Sequence, residues 1–203
     1  MPFELPYRMI FLRHGETDWN VEGRLQGQRD IPLNPLGRDQ ALGAGRIVRQ
    51  WLGADALAQL AEMDFIASPL QRTRETMELA SRAMGLREHP YRMDDRLKEL
   101  SFGIWEGLIW REVLARDPER ARHRVADKWG FVPPGGESYA QLAERIRPWL
   151  QSLNRDSLVV AHGGIARALM VLIGGVTPDL APVADVFQGR PMLFEGGACA
   201  WLG

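Results

Sequence analysis

The sequence has one cysteine, no long apolar run and almost no net charge. Cys199 stands alone among 203 residues, which excludes an internal disulfide and fits a reducing compartment such as the cytoplasm. No apolar stretch is long enough for a transmembrane helix. The formal net charge of −1 provides no basic field that would attract nucleic acid or an anionic membrane. We therefore expect a cytoplasmic protein without nucleic-acid or membrane partners.

What the sequence does contain is the ordinary composition of a globular domain. Hydrophobic residues make up 45% of the chain and charged residues 25%. This length suits one α/β domain, or one domain with a cap. The first six residues are acidic and interrupted by prolines, unlike a secretory signal peptide. We expect a single domain over residues 1–203, with a lid-like insert at about 105–135.

Predicted strands alternate with predicted helices along the chain. Short apolar segments predict strands at 8–13, 64–67 and 157–161, and two edge strands within 183–202, at 186–187 and 192–194. We expect a further strand at 88–93. Capping signals and helical periodicity predict helices at 35–52, 68–84, 138–153 and 163–173. This alternation predicts an α/β fold with three layers, in which helices cover both faces of a mostly parallel central sheet.

The insert differs from the rest of the chain because it is rich in arginine and tryptophan. Its tryptophans are Trp105, Trp110 and Trp129. We expect one or two short helices that form a lid. The tryptophans either offer an apolar surface to a ligand or form the core of the lid. The arginines either meet extra anionic groups of a ligand or form a solvated helix face, since Arg120, Arg122 and Arg124 cannot all face one ligand.

Two histidines stand where buried strands are predicted to end. The tripeptide Arg13-His14-Gly15 follows the apolar run 9–12, and His162-Gly163-Gly164 follows the run 158–161. In α/β proteins, ligands bind at the carboxyl ends of the strands. Because both histidines lie in this position, we expect them to share one site. An imidazole there is a competent nucleophile or acid–base group at neutral pH.

Two further segments contribute polar groups that suit an anion site. The loop 15–34 offers hydrogen-bond donors from Asn20, Arg24, Gln26 and Gly27. Glu99 follows a predicted strand and precedes an aromatic and glycine-rich turn. A carboxyl group among apolar neighbours has its acid form favoured, as a general acid requires. The alternative is a surface glutamate beside Lys98.

Arg72 is predicted to lie in the first turn of the helix at 68–84. Free backbone N–H groups and the positive end of the helix dipole favour anions at such a position. Its planar guanidinium suits two phosphate oxygens. The alternative is that Arg72 and Arg74 are solvated helix charges paired with Glu75 or Glu78, and for Arg74 this is the preferred interpretation.

With these residues identified, the chain resembles the histidine phosphatase superfamily, which has the phosphoglycerate mutase-like fold. Four matching motifs occur in the family's order and span residues 10 to 167. They are Arg13-His14-Gly15-Glu16-Thr17 with Trp19-Asn20, Ser68-Pro69-Leu70-Gln71-Arg72-Thr73, Leu97-Lys98-Glu99, and Val160-Ala161-His162-Gly163-Gly164.

The resemblance implies a phosphomonoester hydrolase that forms a phosphohistidine and needs no metal or other cofactor. His14 would attack the phosphorus, and Glu99 would protonate the leaving oxygen and then accept a proton from water. The implied phosphoryl ligands are Arg13, Arg72 and His162, with Asn20, Gln26, Gly27 and Gly163 as secondary contacts. A carbonyl of the loop that begins at Gly15 would fix the tautomer of His14. The substrate would be a small phosphorylated metabolite, and the protein a monomer or homodimer.

Residues 99–107 and 133–138 are similar to the phosphatase branch of the superfamily, which includes α-ribazole phosphatases and broad-specificity phosphatases. Cofactor-dependent phosphoglycerate mutases look longer and are the alternative within the superfamily.

Two interpretations from other classes stay open. One is a non-catalytic phosphoester-binding module, although both His14 and Glu99 are present. The other is a metal-dependent hydrolase with His14 and His162 as ligands, although further aspartates and histidines at strand ends are lacking.

Overall fold

A six-stranded mixed sheet runs through the centre of the computed structural model, which describes residues 5–203. The strands are β1 (Met9–Arg13), β2 (Asp64–Ala67), β3 (Arg92–Met93), β4 (Ser157–Ala161), β5 (Met192–Glu195) and β6 (Ala198–Trp201). Their order is β3-β2-β4-β1-β5-β6. The first four strands in this order are parallel to one another, and the pairings β1–β5 and β5–β6 are antiparallel. The predicted mostly parallel sheet is confirmed. Residues 1–4 of the predicted acidic start lie outside the described residues.

Helices cover both faces of this sheet. Within residues 5–203 the α-helices are α1 (Asp18–Val21), α2 (Pro35–Leu52), α3 (Ala56–Glu62), α4 (Gln71–Ala83), α5 (Trp110–Arg116), α6 (Pro118–Ala126), α7 (Tyr139–Gln151) and α8 (Gly163–Leu172). Side chains of β1 alternate between two cores. Met9 and Phe11 pack with α7 and α8, whereas Ile10 and Leu12 pack with α2, α3 and α4. Because both faces of β1 are buried, its sequence is apolar throughout, and the predicted three layers are confirmed.

Helix α2 begins and ends where the sequence predicts. The Asn34 side chain accepts a hydrogen bond from the backbone N–H of Gly37 at 2.8 Å. The helix ends before Gly53, whose φ of 74° favours glycine. Within the helix, a Cβ on Gly45 would lie 2.3 Å from the carbonyl oxygen of Ala80. Glycine at position 45 therefore lets α2 and α4 pack in direct backbone contact.

Three predicted boundaries are wrong. Helix α4 begins at Gln71 instead of Ser68, and no side chain caps it. Strand β3 is only two residues long, where 88–93 was expected. Residues 186–187 do not form a strand, and the Val186 carbonyl accepts a hydrogen bond from Arg13 at 2.7 Å. The two edge strands of this region are β5 and β6. The loop 15–34 also contains the short helix α1.

The insert contains the two short helices α5 and α6 and has a small core of its own. Trp105 is buried in this core with Val113 and stacks on Phe131, the ring centroids being 5.6 Å apart. Trp129 stacks on Tyr139 at 5.9 Å. These two tryptophans therefore form core instead of a ligand surface. Among the helices of residues 5–203, none has the length and apolar character needed to cross a membrane.

Candidate active site

Four segments meet at the edge of the sheet where the parallel strands end. These four are the end of β1, the start of α4, the start of α8 and the loop before the insert, and together with residues 20–27 of the loop after β1 they line one cleft of about 150 Å³. The predicted residues that line it include Arg13, His14, Arg72, Glu99 and Gly163. Two larger surface cavities, of about 560 and 680 Å³, contain none of these five residues. The topology of the sheet therefore brings together residues that lie far apart in the sequence.

His14 is held in one tautomer. The ring is only 3% exposed, and its Nδ1 lies 2.7 Å from the carbonyl oxygen of Gly15. Since a carbonyl oxygen can only accept, Nδ1 carries the hydrogen and Nε2 keeps its lone pair. The expected contact with a carbonyl of this loop is confirmed. A Cβ at position 15 would lie 2.1 Å from the carbonyl oxygen of Gly37, so glycine is required for the loop to take this path.

His14 is also held in its neutral form. Burial, followed by the nearby charges of Arg72 and Arg13, lowers the pKa of His14 well below its usual range, and the Gly15 hydrogen bond opposes this only in part. The ring is therefore uncharged at neutral pH. A neutral imidazole with an unprotonated Nε2 can act as a nucleophile without first losing a proton.

Two guanidinium groups lie beside His14, that of Arg72 buried and that of Arg13 partly buried. Arg13 donates from Nη1 to the carbonyl of Val186 at 2.7 Å, and Arg72 donates to the carbonyls of Arg29 and Gly27 at 2.7 and 3.0 Å. The Nε atoms of both arginines are buried and have no partner within residues 5–203. Burial lowers the pKa of Arg72 to about 10 and also lowers the pKa of Arg13, so both stay charged at neutral pH. The solvated-charge interpretation is wrong for Arg72.

His162 lies next to His14, with ring centroids 5.2 Å apart, and does not itself line the cleft. Its Nε2 lies 2.8 Å from the hydroxyl of Ser68, which accepts a 3.5 Å hydrogen bond from the N–H of Leu70. The Ser68 hydroxyl can donate or accept, and when it donates to Nε2 the histidine's own hydrogen lies on Nδ1. Burial and the charge of Arg72 lower the pKa of His162 well below its usual range. Within the described residues, this buried Nδ1 has no partner, so it can donate to a ligand oxygen.

Glu99 is held by the start of α8. The N–H of Gly164 donates to its two carboxylate oxygens at 3.0 and 3.1 Å, and the N–H of Leu100 donates at 2.8 Å. A Cβ on Gly164 would lie 2.3 Å from Oε1 of Glu99, so the contact requires glycine. Lys98 pairs with Asp95 instead, and the surface interpretation of Glu99 is wrong. The expected apolar surroundings are replaced by backbone donors.

The predicted secondary contacts Asn20, Gln26, Gly27 and Gly163 all line the cleft. The Oδ1 of Asn20 accepts hydrogen bonds from Thr17 and Gln188, which leaves its amide hydrogens available. The Oε1 of Gln26 is buried without a partner within residues 5–203. Gly27 also has a second role, because its carbonyl accepts a hydrogen bond from Arg72 and holds that side chain in place. The N–H of Gly163 belongs to the first turn of α8, where backbone donors lack helical partners.

Three cleft residues, Leu25, Phe102 and Arg167, had no role in the sequence-based prediction. Arg167 follows Gly163 by four positions on α8 and therefore shares its face of the helix, which is the signal that could have identified it. Arg74 lies outside the cleft, as expected. Its expected partners are engaged elsewhere, because Glu75 pairs with Arg38 and Glu78 accepts a hydrogen bond from Tyr91.

The arrangement is chemically suited to a small dianion. It combines a neutral nitrogen nucleophile, two fixed cations, backbone and side-chain donors, and one carboxyl group. Phosphoryl transfer depends on positioning and charge neutralisation more than on covalent chemistry, and these groups supply both. Within residues 5–203, no group of three or more His, Cys, Asp or Glu side chains is placed to hold a metal ion.

Comparison with protein families and curated sequences gives a consistent result. A model of the histidine phosphatase superfamily (branch 1) matches residues 9–188. The glucosyl-3-phosphoglycerate phosphatase of Mycolicibacterium vanbaalenii is 34% identical over 188 residues, which cover 87% of this chain and 78% of that protein. The 2,3-bisphosphoglycerate-dependent phosphoglycerate mutase of Nitratidesulfovibrio vulgaris is 30% identical over 223 residues, which cover 93% and 85%.

Solved structures agree at the level of the fold. A mycobacterial glucosyl-3-phosphoglycerate phosphatase in complex with VO3 superposes with a TM-score of 0.77 and 30% identity, covering 96% of each chain. The α-ribazole phosphatase of Shigella flexneri superposes with a TM-score of 0.78 over 95% of this chain and 93% of that one. At 23% identity, this second likeness concerns the fold alone.

Proposed function

The chain belongs to the histidine phosphatase superfamily, and from this premise we propose that it hydrolyses phosphate monoesters of small metabolites through a phosphohistidine on His14. The observation that carries the proposal is the state of His14. Its ring is neutral, its hydrogen is fixed on Nδ1 by Gly15, and its Nε2 is unprotonated beside the cations Arg13 and Arg72. A phosphoryl group in the cleft would meet a nucleophile and counter-charges that are already in place.

In the first step, Nε2 of His14 attacks the phosphorus and the bond between phosphorus and the ester oxygen breaks. Glu99 gives its proton to the leaving oxygen, so the alcohol departs neutral. Arg13 and Arg72 neutralise the charge on the phosphoryl oxygens. The Nδ1 hydrogen of His162 adds a donor there. A preorganised donor of this kind lowers the activation free energy by about 3 kcal/mol.

In the second step, water attacks the phosphorus of phosphohistidine and the bond between phosphorus and nitrogen breaks. Glu99, now a carboxylate, accepts a proton from this water. Its position is set by Gly164 and Leu100, so the same carboxyl group serves both steps from one place. Asn20, Gln26, Gly27 and Gly163 line the cleft around the phosphoryl group as secondary contacts. No residue role in this scheme involves a metal or an organic cofactor.

Similarity to a glucosyl-3-phosphoglycerate phosphatase supports hydrolysis of a small phosphorylated metabolite. Similarity to a phosphoglycerate mutase at 30% identity keeps transfer to a second hydroxyl as the competing function. We favour hydrolysis on the residues after Glu99, which are similar to the phosphatase branch. We further propose that residues 1–203 form one catalytic domain with the insert as its lid, acting in the cytoplasm as a monomer or homodimer.

The test is release of inorganic phosphate from a panel of phosphate monoesters in buffer that contains EDTA. We expect turnover by the wild-type protein and a loss on the order of 10⁴-fold or more in His14→Ala. His123→Ala, which removes an exposed histidine of α6, is the matched control and should keep wild-type activity.

Near-normal turnover by His14→Ala would refute the proposed nucleophile. Conversion of 3-phosphoglycerate to 2-phosphoglycerate with little free phosphate would replace the phosphatase with the mutase. Tight binding of phosphate esters without any turnover would identify a non-catalytic module. Activity that EDTA abolishes and zinc or magnesium restores would favour the metal-dependent hydrolase.

A further inference from the structure

Glu106, at the start of the insert, is a largely buried carboxylate that the proposed mechanism does not use. Its side chain is only 10% exposed. Its Oε1 accepts hydrogen bonds from the backbone N–H of Gln28 at 3.1 Å, from the N–H of Phe102 at 3.2 Å and from the hydroxyl of Ser101 at 3.3 Å. A Cβ on Gly27 would lie 2.1 Å from the same oxygen, so glycine at position 27 lets the loop backbone reach the carboxylate.

Glu106 and Arg72 hold the same peptide group from opposite sides. The carbonyl of Gly27 and the N–H of Gln28 belong to one planar peptide unit. Arg72 donates from Nη2 to this carbonyl at 3.0 Å, and Glu106 accepts from this N–H. A cation at the oxygen and an anion at the hydrogen polarise the peptide in the same direction, so each contact strengthens the other. Burial lowers the pKa of Arg72 to about 10, and the charge of Glu106 is among the negative charges that oppose this shift.

The contact with Glu106 fixes which way this peptide faces. Gly27 has a φ of 53° and no Cβ, so its own backbone restricts the peptide less than another residue would. A peptide turned over would point its N–H at Arg72, whose guanidinium can only donate. Arg72 would then keep the carbonyl of Arg29, at 2.7 Å, and lose that of Gly27. The orientation of the guanidinium therefore depends on an acceptor at the position of Glu106.

The other contacts of Glu106 do not involve Arg72. The Nε of Arg29 lies 3.4 Å from Oε2 of Glu106, but the Arg29 side chain is 65% exposed, and such ion pairs contribute little. The hydrogen bonds from Phe102 and Ser101 stabilise the turn that leads into the insert. A test of Glu106 must therefore separate support of this turn from an effect on Arg72.

We propose that Glu106 is a positioning residue, which holds Arg72 in its phosphoryl-binding orientation through the peptide between Gly27 and Gln28. This inference rests on the proposed function, because it takes Arg72 as a ligand of the phosphoryl group. Glu106 itself does not line the cleft, so it acts on a bound phosphoryl group through Arg72. The start of the insert and the phosphoryl site are thereby connected.

The test uses orthovanadate as the probe, because it adopts the five-coordinate geometry of phosphoryl transfer. Its affinity is measured by titration calorimetry, and kcat/KM for 4-nitrophenyl phosphate is measured beside it. Glu106→Ala removes the acceptor, whereas Glu106→Gln keeps an acceptor oxygen in the same place. Asp127→Ala is the matched control, because the Asp127 carboxylate also belongs to the insert and accepts a backbone N–H, that of Gly130 at 2.7 Å, but lies outside the cleft.

We expect Glu106→Ala to lower both the vanadate affinity and kcat/KM by about 10- to 100-fold, which is the effect of removing an outer-shell partner from a metal ligand. Glu106→Gln should stay within about fivefold of the wild-type protein, since it retains the acceptor but not the charge. Asp127→Ala should stay within about twofold. In an Arg72→Ala background, adding Glu106→Ala should cost about twofold or less, because the side chain that Glu106 positions is then absent.

A loss of the same size with and without Arg72 would overturn the inference and leave Glu106 as a support for the turn. Wild-type affinity in Glu106→Ala would overturn it, and so would a Glu106→Gln variant as weak as Glu106→Ala. If Glu106→Ala does not fold, the amide proton signal of Gln28 in Glu106→Gln carries the test. This signal should move upfield, because a neutral acceptor polarises the N–H less than a carboxylate does, and an unchanged signal would overturn the inference.

Vanadate binding needs no turnover, which separates this inference from the proposed function. A loss of affinity in Glu106→Ala that requires Arg72 would support the positioning role even if the wild-type protein hydrolysed nothing.

Discussion

At the scale of single residues, burial decides the chemistry of the two histidines. His14 and His162 are almost fully enclosed, and the pKa of each lies well below its usual range. The Gly15 carbonyl fixes the hydrogen of His14 on Nδ1, and the Ser68 hydroxyl holds Nε2 of His162. The proposed nucleophile and the proposed donor are therefore both held in position by the protein itself.

The same burial makes the stability of the fold depend on pH. An unfolded histidine takes up a proton below about pH 6.5, whereas these two stay neutral in the fold. The unfolded state then binds more protons, so stability is present above that value and is lost as the pH falls through it. Between about pH 7.5 and 5.5, we expect each histidine to remove about 1.4 kcal/mol from the free energy of unfolding.

Urea unfolding of the wild-type protein, His14→Gln and His162→Gln at these two pH values measures this effect. Each variant should lose part of the pH dependence, and His123→Gln, at an exposed histidine, should retain it all. Identical pH dependence in all four proteins would show that the two histidines are not held neutral.

The sequence predicted the chemically active residues of the site better than the groups that hold them. Arg13 and His14 were predicted from the end of a strand, Glu99 from its place after a strand, and Arg72 from the first turn of a helix. All four line the cleft. Ser68 and Gly164 were known only as parts of motifs. Their contacts with His162 and Glu99 join residues 94 and 65 positions apart, and no local pattern reveals such pairs.

At the scale of secondary structure, the contact between α2 and α4 sets the position of Arg72. The two helices touch at Gly45 and Ala80, and a Cβ on Gly45 would meet rigid backbone at 2.3 Å. Gly43, two residues earlier in the same helix, has nothing within 4 Å of such a Cβ. Substitution at Gly43 therefore tests helix propensity alone, whereas substitution at Gly45 also tests the packing of α2 on α4.

Alanine substitution at these two glycines should act in opposite directions. We expect Gly43→Ala to raise the free energy of unfolding by about 0.5–1 kcal/mol, because alanine is the better helix former. Gly45→Ala gains the same propensity but forces the helices apart, and we expect a net loss of about 1–3 kcal/mol. Urea unfolding at pH 7.5 measures both. Equal stabilisation of the two variants would contradict the close contact.

The elements that the sequence predicted well are those with signals at both ends. Helix α2 has the cap Asn34, then Pro35, and Gly53 after its end, and its limits agree with the prediction. The predicted start of α4 is wrong, because Ser68 resembles a helix cap in the sequence but its hydroxyl contacts His162 instead. Strand β3 pairs over only two residues with β2 and is shorter than the predicted strand at 88–93.

At the scale of the whole molecule, the site forms because the central strands are parallel and their carboxyl ends lie at the same edge of the sheet. Strands β1, β2 and β4 end at one edge, and the loop before the insert returns there with Glu99. Alternating strands and helices were enough to predict this arrangement. The orientation of the insert was not predictable, since it depends on contacts with the rings of Phe102 and Tyr139, which lie just outside the insert.

The central claim is that one nitrogen, Nε2 of His14, carries the phosphoryl group between the substrate and water. Rapid quenching of the wild-type protein during hydrolysis of a phosphate ester, followed by peptide mass spectrometry, tests this claim directly. We predict a phosphoryl group on His14 that is stable in base, labile in acid and lost at the rate of turnover. Steady hydrolysis with no phosphoenzyme, or with the phosphoryl group on another residue, would contradict it.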